Sequence, residues 1–326
     1  MLVMMVFRQV VTSTVGALFA LLLTHSAFAS ELSEYKGSGS LTQGRAKTTE
    51  SNIFTCQKGR ARVAGIGSIT DVNGTNWIMP ADNHFSSGPK AMDLYEECAG
   101  ITPASIDDVN QDEAEIVVID PEGEVVTGYI FADNYFELYI NGSLVAVDTV
   151  PFTPFNSSIV KFKVSKPYTI AVKVIDWEEN LGLGTENNRG KQYHPGDGGF
   201  IASFSDRTVT NANWRAQTFY TAPIYDLTCL QEKNGARLSS DCTTEGTNDG
   251  ESAYAIHWQI PKDWMEVDFD SEPWPQASLY SEDEIGVNNK KAYMNFVEKF
   301  SGAGASFIWS TNVVLDNEVL LRYYVE

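Results

Sequence analysis

Residues 131–148 read FADNYFELYINGSLVAVD, and few folds accommodate such a stretch. Phe136, Leu138 and Ile140 alternate with Tyr135, Glu137 and Tyr139, so apolar and polar side chains fall on opposite faces of an extended, half-buried strand. Asn141-Gly142 follows at once. A two-residue type I′ turn needs positive φ at both central positions, which this pair supplies at the least steric cost. SLVAVD then returns as the partner strand. The hairpin accounts for the polar face, which leaves Asp133 and Asn134, at its start, as its candidate ligand contacts.

The same grammar continues to the C-terminus. IVKFKV, YTIAVKVIDW, GGFIASFS, TNANWRAQTFY, AYAIHWQI, FIWSTNVV and EVLLRYYVE are short strand-like runs between Gly, Pro and Asn turns. Only KKAYMNFVEKF has the makings of a longer helix, and AMDLYEEC of a short one. Many short strands and few helices predict an all-β chain, a jelly-roll β-sandwich over residues 115–326. Residues 53–114 form an N-terminal extension of short strands and loops with a turn at Asn73-Gly74. The extension is either a separate module or an addition to the sandwich. Residues 30–52, rich in Ser, Gly, Thr and Lys, read as a flexible lead-in.

Residues 1–29 have the layout of a secretory signal. Arg8 precedes an apolar run from Val10 to Leu23, and Ala27-Phe28-Ala29 is a small-x-small cleavage pattern. The run is too short for a membrane span. The expected location is therefore periplasmic or extracellular, without membrane insertion. With 43 Asp+Glu against 23 Lys+Arg, the chain has no positive field for nucleic acid or anionic lipid. Cys56, Cys98, Cys229 and Cys242 permit three disulfide connectivities, of which the local pairs Cys56–Cys98 and Cys229–Cys242 are the simplest.

Several landmarks together resemble the galactose-binding-like jelly rolls that accompany many glycoside hydrolases, including the accessory domains of bacterial rhamnosidases. ADNYFELYINGSLVAVD looks like their strand-turn-strand, and YTIAVKVIDW like the strand that follows. GGFIASFSDRTVTNANWRAQ is similar to their glycine-led strand, turn and Trp-ending strand, with Asp206-Arg207 where many relatives have Asp-Gly. FDSEPWPQA resembles their acidic loop before a buried Trp, and FIWSTNVVLDNEVLLR their closing strands. The resemblance covers about Glu115 to the C-terminus. It implies a sandwich that binds carbohydrate through loops at one end, in some members with a structural calcium ion, and it implies buried Trp214, Trp274 and Trp309.

No G-x-S-x-G, H-E-x-x-H or P-loop signature is present. The densest polar and aromatic segment is IDWEENLGLGTENNRGKQYHPGDGG, residues 175–199, a long glycine-rich loop after a strand. There Trp177 is the candidate to stack on a sugar face. Glu178, Glu179, Asn180, His194 and Asp197 are the candidates to bind hydroxyls, and Asp176, Glu178 and Glu179 offer oxygen ligands for calcium. The competing reading makes Trp177 a plug at the sandwich edge and the rest solvated loop. His84, His194 and His257 would form a metal site only by converging from three separate segments, and His257 lies in an apolar strand that suits a core histidine. Trp258 and Trp264 are expected at the sandwich edge.

The leading expectation is an exported, non-catalytic protein that recognises carbohydrate or another surface ligand and requires no cofactor. A glycan hydrolase using two carboxylates and a structural or adhesive surface protein are the alternatives.

Overall fold

The computed structural model describes residues 35–57, 62–185, 192–243 and 249–326. The signal-like segment, residues 1–29, lies outside them. The Tyr135–Ile140 strand and the Ser143–Val147 strand pair antiparallel, with Ile140 opposite Ser143. Asn141 and Gly142 between them have φ of 48° and 81°, both in the left-handed region that the turn demands. The Asn141 side chain is used as well, its Oδ1 accepting the Thr169 N–H at 2.8 Å.

Among the described residues, two seven-stranded sheets carry the fold. The first runs in the order Ser40–Gln43, Tyr254–His257, Arg215–Ile224, Asp316–Val325, Tyr168–Ile175, Tyr135–Ile140, Ser143–Val147. The second runs Ser278–Tyr280, Phe307–Trp309, Gly199–Phe204, Glu124–Asp133, Ser157–Val164, Met92–Tyr95. Its seventh strand, Ile116–Val118, lies parallel to Ser157–Val164. From Ser143 to Ile224 successive strands alternate between the sheets, the winding of a jelly-roll sandwich. Phe136, Leu138, Val172, Val174, Val319 and Leu321 of the first sheet meet Ile130, Phe162, Phe200 and Ala202 of the second, with Trp214 and Trp309 buried among them. Trp274 is buried too, against Phe219 and Phe269.

The sheets are covered outside as well as inside. Tyr293, Phe296 and Phe300, from a one-turn helix at Lys291–Met294 and the turns after it, pack on Phe131 and Ile201 behind the second sheet. Ala64, Ala81 and Phe85 of the extension pack on Tyr135, Ile175 and Trp177 behind the first. The Tyr135–Ile140 strand is consequently buried at all six positions, where period two predicts half. Periodicity reports one sheet's own two faces and carries no signal for a further layer docked from elsewhere in the chain.

Two other expectations are corrected. AMDLYEEC is the Met92–Tyr95 edge strand, because Leu94 and Tyr95 bury more by extending along Ser157–Val164 than in an isolated turn of helix. In place of a flexible lead-in, Ser40–Gln43 pairs in register with Tyr254–His257, and Lys47–Glu50 joins a three-stranded sheet with Ile66–Thr70 and Asn76–Met79. The disulfides are the local pairs, Cys56–Cys98 and Cys229–Cys242, bonds that form and persist in oxidising compartments. Among the described residues no helix is long and apolar enough to cross a membrane.

The Asp206-Arg207 turn keeps its tight geometry at a cost, since Arg207 has φ of 76°. Its side chain is exposed. Arg207→Gly should therefore stabilise the protein by about 0.5–1 kcal/mol, read as a higher urea midpoint with unchanged m-value.

Candidate functional site

Three adjacent strands of the first sheet bring Glu137, Lys173 and Glu318 together on the face turned away from the sandwich core. Lys173 stands directly opposite Glu137, and Glu318 opposite Ile175, one outward position further along. Lys173 Nζ reaches Glu318 Oε1 at 2.9 Å and also donates to the Asp82 carbonyl. Glu137, its side chain 1 % exposed, is surrounded by donors. Oε1 accepts the His84 backbone N–H and the Tyr135 hydroxyl (3.1 Å), while Oε2 accepts the Tyr139 hydroxyl (2.9 Å) and lies 3.1 Å from His84 Nδ1.

Above this row the surface opens into a groove of about 400 Å³. Trp77, Ile78, Asp82 and His84 of the extension form one wall, and residues 258–265 the other. Trp264 meets Tyr139 edge-on, ring centres 5.3 Å apart. Trp77 stacks on His257 at 5.0 Å, and His257 in turn on Tyr220. The buried Arg322 fixes the second wall from below, its guanidinium donating to the carbonyls of Trp264 and Glu266.

The electrostatics are those of one ammonium between two carboxylates under cover. Burial opposes the charge of Lys173, but Glu318 and Glu137 together hold it above its ordinary value. Burial, with Glu137 and Asp82 close by, pushes the Glu318 carboxyl upward in spite of Lys173. Burial and then Glu137 raise the Tyr139 hydroxyl, which keeps it a donor. A buried charge row of this kind is a poor way to gain stability. Under an open groove it is instead a means of presenting fixed acceptors and donors to a polar ligand.

The loop singled out by sequence is built differently. Trp177 is fully buried, its indole N–H on the Gly65 carbonyl at 3.1 Å and its ring edge-on to Tyr135. The extension covers the ring that would have stacked on a sugar, so the plug reading of Trp177 is the correct one. Asn134 is buried and accepts the Trp177 backbone N–H at 2.7 Å, while its Nδ2 donates to Asp133. Glu178 is buried and accepts the Gly196 N–H; Asp176 is buried, its N–H on the Asn317 carbonyl. His194 is buried with Nδ1 on the Pro195 carbonyl. Glu179 and Asp197 are half-buried, and Asn180 is exposed, its Nδ2 on the Gly184 carbonyl. Residues 186–191 of this loop lie outside the described residues.

The three histidines do not converge. His84 is on the groove wall, His194 in the loop, and His257 is in the core with Nε2 2.8 Å from Thr42 Oγ1, burial holding its imidazole down to about 3. Among the described residues no group of three or more His, Cys, Asp or Glu is placed to hold a metal ion, the proposed Asp176, Glu178 and Glu179 included.

Sequence reasoning passed over Glu137 and Tyr139 as mere strand pattern and did not single out Lys173, Glu318 or Asp82. A signal was present: YFELYI, IAVKVI and NEVLL each hold one charge inside an apolar strand. Trp258 and Trp264 were placed at the sandwich edge; they line the groove. Comparison with protein-family models, with curated proteins and with solved structures finds no match.

Two substitutions separate these roles. Lys173→Ala strands two buried carboxyl groups without their ammonium and should cost about 3–5 kcal/mol in chemical denaturation. Trp177→Ala should cost a similar ~3–5 kcal/mol by leaving a cavity under the extension. A Trp177 variant of wild-type stability would contradict the buried placement.

Proposed function

We propose that the protein is an exported carbohydrate-binding β-sandwich whose ligand groove is the one floored by Glu137, Lys173 and Glu318. The observation that carries this reading is a buried, hydrogen-bonded charge row beneath an open groove edged by aromatic rings. Carboxylates accept from adjacent sugar hydroxyls, and aromatic and apolar walls complement the C–H face of a pyranose ring. A volume of about 400 Å³ suits a small sugar. The resemblance to galactose-binding-like jelly rolls supports the ligand class, though not the place, since those domains use loops at one end. The signal-like N-terminus and two disulfides support export.

Glycan hydrolysis is the second reading, favoured by two carboxyl groups on one groove floor. Release of a reducing end from a bound glycan, lost in Glu318→Gln while binding persists, would establish it.

The test of the first reading is a glycan array followed by calorimetry on the mature chain, with added calcium and again with a chelator. A hit should weaken at least tenfold in Glu318→Gln and in Tyr139→Phe, both checked for folding by circular dichroism. Uniformly flat arrays, or a hit indifferent to both substitutions, would sink it.

A further inference from the structure

A second cavity opens on the same outer face of the first sheet, beyond the turns that follow Trp264. Trp264 and Met265 line the groove, whereas Val267 and Phe269 line this cavity, whose volume is about 330 Å³. Three neighbouring strands meet under it. Arg322 stands directly opposite Arg215, and Tyr324, two residues further on, stands opposite Thr169. All four residues line the cavity.

The polar groups here are not fully used by the protein. Arg322 is 4 % exposed, and its Nη1 and Nη2 donate to the carbonyls of Trp264, Glu266 and Phe269, all of them neutral acceptors. Asp263, Asp268 and Glu266 act on its charge only from further off, and no carboxylate among the described residues forms an ion pair with it. Its Nε has no hydrogen-bond partner, and neither has the hydroxyl of the buried Thr169. Buried charges are ordinarily paired and buried polar groups bonded. Like charges facing each other across an antiparallel pair are destabilising as well. Glu272, a largely exposed carboxylate 2.6 Å from Arg215, offsets that residue and leaves Arg322 uncompensated.

We propose that this cavity binds a hexuronic acid, a pyranose sugar carrying one carboxylate, with the carboxylate held by Arg215, Arg322 and Thr169. Unspent donors beside an uncompensated guanidinium require an anionic acceptor, and guanidinium geometry matches a planar carboxylate. The rim selects among anions. Asp270 and Glu272 are exposed there; they repel a densely charged anion such as phosphate, yet they accept from hydroxyls. Asn213 and Ser271 add further hydroxyl partners, and the Tyr324 ring, 54 % exposed, offers a face to the C–H side of a pyranose. A single ring bearing one carboxylate and several hydroxyls meets all of these groups, and the cavity has room for one such ring.

NMR titration of the mature chain with galacturonate and glucuronate, set against galactose, glucose and inorganic phosphate, tests the site. At least one uronate should bind at least tenfold more tightly than its neutral counterpart and than phosphate. Arg215→Gln should weaken that uronate at least tenfold and Thr169→Val several-fold, both variants being checked for folding by circular dichroism. Thr169→Val keeps the side-chain shape and removes a hydroxyl that no protein group uses, so it decides the matter if Arg215→Gln does not fold. Glu318→Gln, in the groove, should leave uronate binding unchanged. The site is thereby separated from the groove reading, and either can fail while the other stands. Absence of uronate binding, equal binding of the neutral sugars, tighter binding of phosphate, or indifference to Thr169→Val would overturn the proposal.

Discussion

Lys173 is a single ammonium held between two carboxyl groups under cover of the extension, and much of the outer architecture depends on it. Its bond to the Asp82 carbonyl and the bond from His84 to Glu137 tie the extension to the back of the first sheet. The Trp177 bond to the Gly65 carbonyl, the Trp77 stack on His257 and the packing of Phe85, Ala64 and Ala81 complete the docking. The same row floors the groove. One set of interactions thus docks a layer and furnishes a site, which makes its high desolvation cost intelligible.

The sandwich itself rests on ordinary apolar packing and is independent of that row. Its inner faces are mainly Phe, Ile, Leu, Val and Ala, closed by Trp214 and Trp309. Added layers on both outer faces turn a two-layer fold into one in which strands such as Tyr168–Ile175 are buried along their whole length. A charged residue on such a strand cannot reach water by pointing outward and must find partners. Lys173 and Glu318 find each other, and Glu137 finds the tyrosines and His84.

The site was only partly legible in the sequence, for the same reason. Glu137 and Tyr139 were visible as the polar face of a strand, and a polar face normally meets solvent. Nothing local announced that residues 76–84 would fold over it. Trp177 failed in the opposite sense: an aromatic ring in a long polar loop looks available, yet Gly65 and Tyr135, distant in sequence, enclose it. Both errors arise from contacts between residues far apart in the chain, which periodicity and composition do not encode.

What the sequence determined by itself was the class of fold and the hairpin at Asn141-Gly142, while the burial of Trp214, Trp274 and Trp309 was implied by the resemblance to galactose-binding-like jelly rolls. The local disulfides were already its simplest pairing. These depend on neighbours a few residues away, on backbone φ at a turn, or on which side chains shun water. The tertiary structure alone decided which strand faces are covered and which open. It converted three isolated charges in three strands into one row, because strands far apart in sequence come to lie about 4.8 Å apart in a sheet.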